Sequence, residues 1–426
     1  MKKNMFAIFL ILILFSTWKL SFAQEYDLLL KGGHVFDSKN TINEEMDVAI
    51  SGKKISRVDK DIPANLAKNV IDVSDYYVTP GLIDIHVHVF YTSEEGFNGS
   101  VLPETRTFSS GVTTIVDAGT PGWQNFVKFK ETVIDRSKIR ILSFLNIAGP
   151  GMGEVEQDID ELNPEMAAAT VKRYSDIIVG IKTAHYWTSK PWDDEHPPWA
   201  SVDSAIAAGR LCNKPVMIDF WPRLPERPYS TLILEKMRPG DIHTHVFAQQ
   251  FPIIKKDGKV NEILFQAQRR GVIFDLGHGA ASFWFRNAAP AIKQGFLPNT
   301  IGTDLHKGNI NGPVVDMITT MSKFLIMGVP LEDVIRLSTV NPAKEINRPE
   351  LGTLSVGSEA DIAVVEMLKG RFSYADCGKA KMTGDKKLQC VMTLRAGEIV
   401  YDPSGLSMPE WENTPPEYWV IPGLQK

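Results

Sequence analysis

Between Pro80 and Pro349 short apolar runs alternate with longer stretches of helical character, and this alternation limits the fold more than any other feature of the chain. The runs are Leu82 to His88, Thr113 to Asp117, Arg140 to Asn146, Ile178 to Lys182, Val216 to Phe220, Asp241 to His245, Val272 to Leu276 and Thr300 to Asp304. Strands joined by helix-length crossovers pair in parallel. Eight such units in this length predict an α/β fold, a (β/α)8 TIM barrel over 80–349. The flanks read differently. Residues 24–79 and 350–405 carry short strands and turns, such as Asp47-Val48-Ala49-Ile50 and Asp361-Ile362-Ala363-Val364-Val365, so the two are expected to pair into one small composite β-sandwich with the barrel inserted between its halves. The tail, 406–426, is rich in Pro and Trp and leaves packing on the barrel or in a homo-oligomer open.

With 43% hydrophobic and 23% charged residues, the 426-residue chain has the proportions of a globular protein. Its net charge of −5, with no dense run of Lys or Arg, argues against nucleic acid and for a small-molecule substrate. Lys2-Lys3, an apolar run from Met5 to Phe15 and Ser21-Phe22-Ala23 before Gln24 read as a signal peptide spanning 1–23. That predicts a secreted or periplasmic protein with no stable membrane anchor after cleavage. Three cysteines are too few for a disulfide framework. Cys377 and Cys390 are placed to pair across a C-terminal hairpin, whereas Cys212 reads as a buried apolar thiol.

Strand alternation puts Asp84, His86 and His88 on one face of Leu82 to His88, so two imidazoles point the same way into the barrel. At the C-terminal mouth such a pair can take adjacent positions on one metal ion. Lys182 ends an apolar run and should lie inside the barrel, where its charge needs an answer: a salt bridge to Asp84 or Asp304, or conversion of the amine by CO2 to a carbamate able to bridge two metals. Asp304, at the end of the last strand, can ligate a metal and take a proton from water, or cap a helix. His245 and His243 share a strand face, and by spacing either can be a ligand. His278, between two glycines, can reach substrate or merely occupy a turn.

Pro80-Gly81-Leu82-Ile83-Asp84-Ile85-His86-Val87-His88, together with Lys182, His245 and Asp304, resembles the amidohydrolase superfamily of urease and dihydroorotase relatives. Gly111-Val112-Thr113-Thr114-Ile115-Val116-Asp117-Ala118-Gly119, Gly277-His278-Gly279 and Met321-Ser322-Lys323-Phe324 resemble its dihydroorotase-like amidohydrolase/deacetylase branch. The resemblance implies that His86, His88 and Asp304 bind the more buried of one or two divalent ions, that N6-carboxylated Lys182 bridges, that His245 binds the outer ion, and that His278 and His306 orient substrate. One position departs from the pattern: Asp219 stands where the branch commonly has a second His for the outer metal. As a ligand it would make a two-metal site formally neutral where His leaves it positive, and besides Zn this harder set suits Mn or Fe.

These residues predict a metallohydrolase that cleaves an amide or ester bond of a small molecule, of deacetylase type, by a metal-activated hydroxide with Asp304 moving the proton. Opening of a cyclic amide or lactone is the alternative within the superfamily, and a metal-containing binding protein without turnover the alternative outside it. Loop residues His185, Tyr186 and Trp187, and Trp221, Arg223 and Arg227, overhang the expected mouth, with His185 and Arg223 as candidate substrate contacts.

Overall fold

The computed structural model describes residues 24–93, 97–184, 186 and 191–421. The expected signal peptide, 1–23, lies outside the described residues, as do His185 and Trp187.

Strands β1 (Tyr26–Asp37), β2 (Ile42–Ser51), β3 (Lys54–Asp59), β4 (Ala67–Asp72) and β5 (Tyr77–Pro80) precede the βα region. The βα region holds β6 (Leu82–Val87), β7 (Val112–Gly122), β8 (Arg140–Asn146), β9 (Ile178–Thr183), β10 (Val216–Ile218), β11 (Ile242–His243) and β12 (Ile273–Phe274). Strands β13 (Ile362–Ala375), β14 (Lys381–Arg395) and β15 (Glu398–Tyr401) follow. The last three join β1 to β5 in one eight-stranded sheet, closed between the chain's two ends by antiparallel pairing of β13 with β5, Ile362 opposite Pro80.

Strands β6 to β12 form a parallel sheet in sequential order. It curls. The segment read as an eighth strand is not a regular one: Thr300 bridges Asp275 beyond β12, and Leu305 bridges Val87 at the end of β6, so this segment touches both sheet edges. Strands β10, β11 and β12 are also shorter than the apolar pattern predicts. For β11 and for the eighth segment the reason lies in the ends. His245 and Asp304 have φ of 61° and 53°, in the left-handed region, and a strand cannot continue through such residues. The ladder is given up where side chains must turn inward.

A cluster including Ile83, Ile85, Leu142, Phe144, Met217, Ile242 and Ile273 is fully or almost fully buried, and a larger one packs the helices around the sheet. Burying one such side chain contributes roughly 1.5–3 kcal/mol. The two sheets are tied by ions as well: Arg140 meets Glu359 and Asp361, and Arg395 meets the same two carboxylates.

The β13–β14 hairpin is longer than a small β unit requires, and its tip leaves its own sheet to pack on the βα region. Asp376 accepts from Phe285 N (3.0 Å), and Cys377 Sγ lies 3.4 Å from Gly279 O. This corrects the expected cysteine pair. Cys377 is at the hairpin tip, Cys390 is buried in β14 opposite Val365, and both are free. Cys212 is free too, and only half-buried.

Candidate metal centre

At the end of β6, His86 within the strand and His88 just past it come together with ring centroids 5.7 Å apart, 1% and 4% exposed. Lys182 from β9, Asp219 after β10, His245 after β11, and Asp304 with His306 close a cavity of about 100 Å³ with them, walled by Phe97 and Met152.

Neighbouring acceptors set the protonation of each imidazole. The Thr244 hydroxyl donates to Asp275 (2.8 Å), so at 2.9 Å from His86 Nδ1 it can only accept. Thr120, bonded to the Asp117 carboxyl, stands in the same relation to His88 Nδ1 at 2.9 Å. His245 Nδ1 donates to the Gly277 carbonyl at 2.6 Å. All three rings therefore carry their proton on Nδ1 and turn an Nε2 lone pair to the cavity. Such outer partners fix the tautomer in metal sites.

Those lone pairs face carboxylates. Asp304 Oδ1 lies 3.0 Å from His88 Nε2 and 3.6 Å from His86 Nε2, while Asp219 Oδ2 lies 3.6 Å from His245 Nε2. Acceptor opposite acceptor is repulsive unless positive charge sits between them. One donor atom each from His86, His245 and Asp304 lies within 4.8 Å of the others, a spacing one ion can span. The donor set fits a divalent metal.

Lys182 Nζ is 3.5 Å from His86 Nε2 and buried. Burial pushes its pKa down against the pull of Asp219 and Asp304, which favours the neutral amine that can attack CO2. Burial above all holds His86 well below the usual histidine range, so it stays a neutral donor. For Asp304 burial acts upward, but a proton on His88 Nε2, standing where an ion would, and positive charge on the surrounding imidazoles outweigh it and keep the carboxyl low.

The expected residues do not all converge. His243 was read as sharing a face with His245, but alternation ends at His243 itself. Its ring packs among Tyr229, Phe251 and Phe274, away from the cavity. His278 is fully buried and does not line the cavity: Nδ1 donates to Gly279 O at 2.9 Å, and Nε2 lies 2.6 Å from Lys323 Nζ. His306 does line it, with Nδ1 accepting from Gly308 N, which leaves Nε2–H as its donor. Arg223 stacks on Trp192 at 4.6 Å, and the arginine that faces the neighbouring cavity is Arg227.

Residues that spacing does not single out support the site. Thr120, Thr244 and Asp275 orient histidines, and Gly119 makes room for Lys182: a Cβ there, at φ +85°, would lie 2.5 Å from Lys182 Cβ and Cγ. Gly119 lies inside β7, and a glycine within a buried apolar strand was the available signal.

The sequence profile of the amidohydrolase family matches residues 284–400. A deacetylase of Brucella anthropi is 32% identical over 76% of this chain and 79% of its own length, and a deacetylase of Agrobacterium fabrum is 32% identical over 79% and 82%. The crystal structure of an adenine deaminase superposes with a TM-score of 0.79 at 28% identity, over 88% of this chain and all of that one. With its paired histidines at the end of β6 and relatives matched over most of its length, the chain belongs to the amidohydrolase superfamily.

Proposed function

We propose that this protein is a metal-dependent hydrolase of deacetylase type, cleaving the amide or ester bond of a small acylated molecule. One observation carries the reading: three imidazole lone pairs and two carboxylates converge, with buried Lys182, on a single small cavity. His86, His88 and Asp304 would hold an inner ion, Asp219 and His245 an outer one, with Lys182 between them as its carbamate. A divalent ion there, Zn or alternatively Mn or Fe, supplies Lewis acidity toward a carbonyl and lowers the pKa of water.

The chain's own groups do the remaining work. The Asp304 carboxylate, held in its charged form, takes a proton from the attacking water and returns it to the leaving nitrogen or oxygen. The His306 Nε2–H is the donor available to a substrate oxygen. Phe97 and Met152 limit the water around the reacting atoms.

We read the curled sheet as a (β/α)8 barrel, 80–349, set into a β-sandwich made from 24–79 and 350–405, and the location as secreted or periplasmic from residues 1–23. The test is a panel of acyl amino acids, acetyl esters, lactones and cyclic amides, assayed with Zn or Mn and bicarbonate. Release of the free acid from the acyl compounds is expected. A fully loaded protein that turns over none of them overturns the reading. Adenine belongs in the panel because of the likeness to the adenine deaminase structure, and ammonia release from it alone would replace deacylation with deamination.

A further inference from the structure

A second cavity, of about 290 Å³, adjoins the first: Asp219 lines both. Its walls include Phe220, Trp221, Gln250 and Ser282, and Arg227 faces it. The two spaces together reach the range of small-molecule sites, roughly 300–1,000 Å³.

Arg227 is 2% exposed, yet its charge is not neutralised by direct contact. Nη1 donates to the Tyr186 carbonyl at 3.1 Å, Nε is buried with no acceptor, and among the described residues no carboxylate comes within ion-pair distance. Asp219 acts on it only from further away, and in the reading above that carboxylate is committed to a metal. The guanidinium is held in place from behind. It lies 4.4 Å over the Phe220 ring, and the Arg223 and Arg227 backbones hydrogen-bond to each other in both directions, at 2.9 and 2.6 Å. A buried guanidinium without a counter-charge is costly. One that borders a reaction cavity, between aromatic walls, suits an anion arriving with the substrate, because its planar fork matches a carboxylate.

We propose that Arg227 is a carboxylate subsite, so that the substrates are acylated amino or hydroxy acids: the carboxylate sits on Arg227, the acid's apolar side chain lies against Phe220 and Trp221, and the acyl carbon faces Asp304. The proposal rests on the hydrolase reading. The acyl carbon–nitrogen or carbon–oxygen bond breaks, the water oxygen bonds to the acyl carbon, and a water proton goes to the departing amine or alkoxide. The carboxylate on Arg227 takes no part in bonding. Arg227 is thus a specificity residue.

The test compares the metal-loaded full-length protein with Arg227→Gln and Arg227→Lys on matched pairs: N-acetylphenylalanine against its primary amide, and O-acetyl-lactate against its methyl ester. Removing the substrate's carboxylate should lower the wild-type kcat/KM on the order of 100-fold or more, since a site built around a polar partner rejects the analogue that lacks it. In Arg227→Gln the same change should matter less than about 3-fold, the loss on acids falling mainly in KM, with Arg227→Lys between the two. Equal cleavage of acid and neutral partner by wild type overturns the subsite and leaves the hydrolase reading standing. If no compound turns over, thermal shift with N-acetylphenylalanine still decides: stabilisation of wild type and of Arg227→Lys, absent for the amide, supports the subsite. Equal or no stabilisation by acid and amide overturns it.

Discussion

Lys323 Nζ lies 2.6 Å from His278 Nε2 and also donates to the carbonyls of Pro313 and Ala375, at 2.8 Å each, so one buried amine joins three segments. It ties the loop after β12 to the segment following Asp304 and to the tip of the β13–β14 hairpin. That loop also accepts the His245 proton through Gly277 O and lies against Asp304, because a Cβ on Gly279 would come within 2.4 Å of Asp304 Oδ2. Lys323 is therefore a positioning residue for the candidate metal centre.

Burial brings the Lys323 pKa down to about 7, with Cys377 and Asp376 opposing the shift. The unfolded chain holds this proton up to pH of about 10. Between those values the unfolded state binds more protons, so this residue's contribution to stability rises as pH rises from about 7 to about 10. Urea unfolding across that window should show wild type gaining on Lys323→Met by up to about 1.4 kcal/mol per pH unit. Parallel pH profiles would refute the assignment.

Gly119→Ala adds a methyl group 2.5 Å from the Lys182 side chain at a residue with φ of +85°. Overpacking and the left-handed backbone together should cost about 2–4 kcal/mol. Lys182 must move, so metal content should fall along with the melting temperature. A stable variant with full metal content would show that Lys182 has room to spare.

Asp219→Asn changes one charge and little volume. If Asp219 holds an outer ion beside His245, elemental analysis should find the ion next to His86 and His88 retained and the outer one depleted, with the rate reduced. An unchanged metal ratio and rate would remove Asp219 from the ligand set.

Lys182→Ala should lose metal and activity, and a short carboxylic acid such as formate should restore part of both, because it returns the anion that a carbamate would supply. Wild-type apoprotein reconstituted without bicarbonate should recover more slowly than with it. Identical recovery would favour plain lysine.

The histidine pair was legible because strand geometry alone puts His86 and His88 on one face, and the tautomers that make them donors follow from hydroxyls which sequence spacing cannot bring near. His245 and Asp304 were legible as residues but their left-handed turns were not, and the same irregularity explains why His243 was misplaced. His278 looked like a substrate residue between flexible glycines. Its true partner is 45 residues away on helix Met317–Ile326, a contact that no local pattern encodes. The hairpin tip read as part of a separate β unit for the same reason: its docking on Phe283 and Phe285 is purely tertiary.

The cavity bounded by His86, His88, Lys182, Asp219, His245 and Asp304 should bind the divalent metal on which hydrolysis depends. Anomalous diffraction from crystals of active, Zn- or Mn-loaded protein tests it directly. A peak is expected about 2.0–2.2 Å from His86 Nε2, His88 Nε2 and an Asp304 oxygen, with a second beside Asp219 and His245. Active crystals with no peak in that cavity would contradict it.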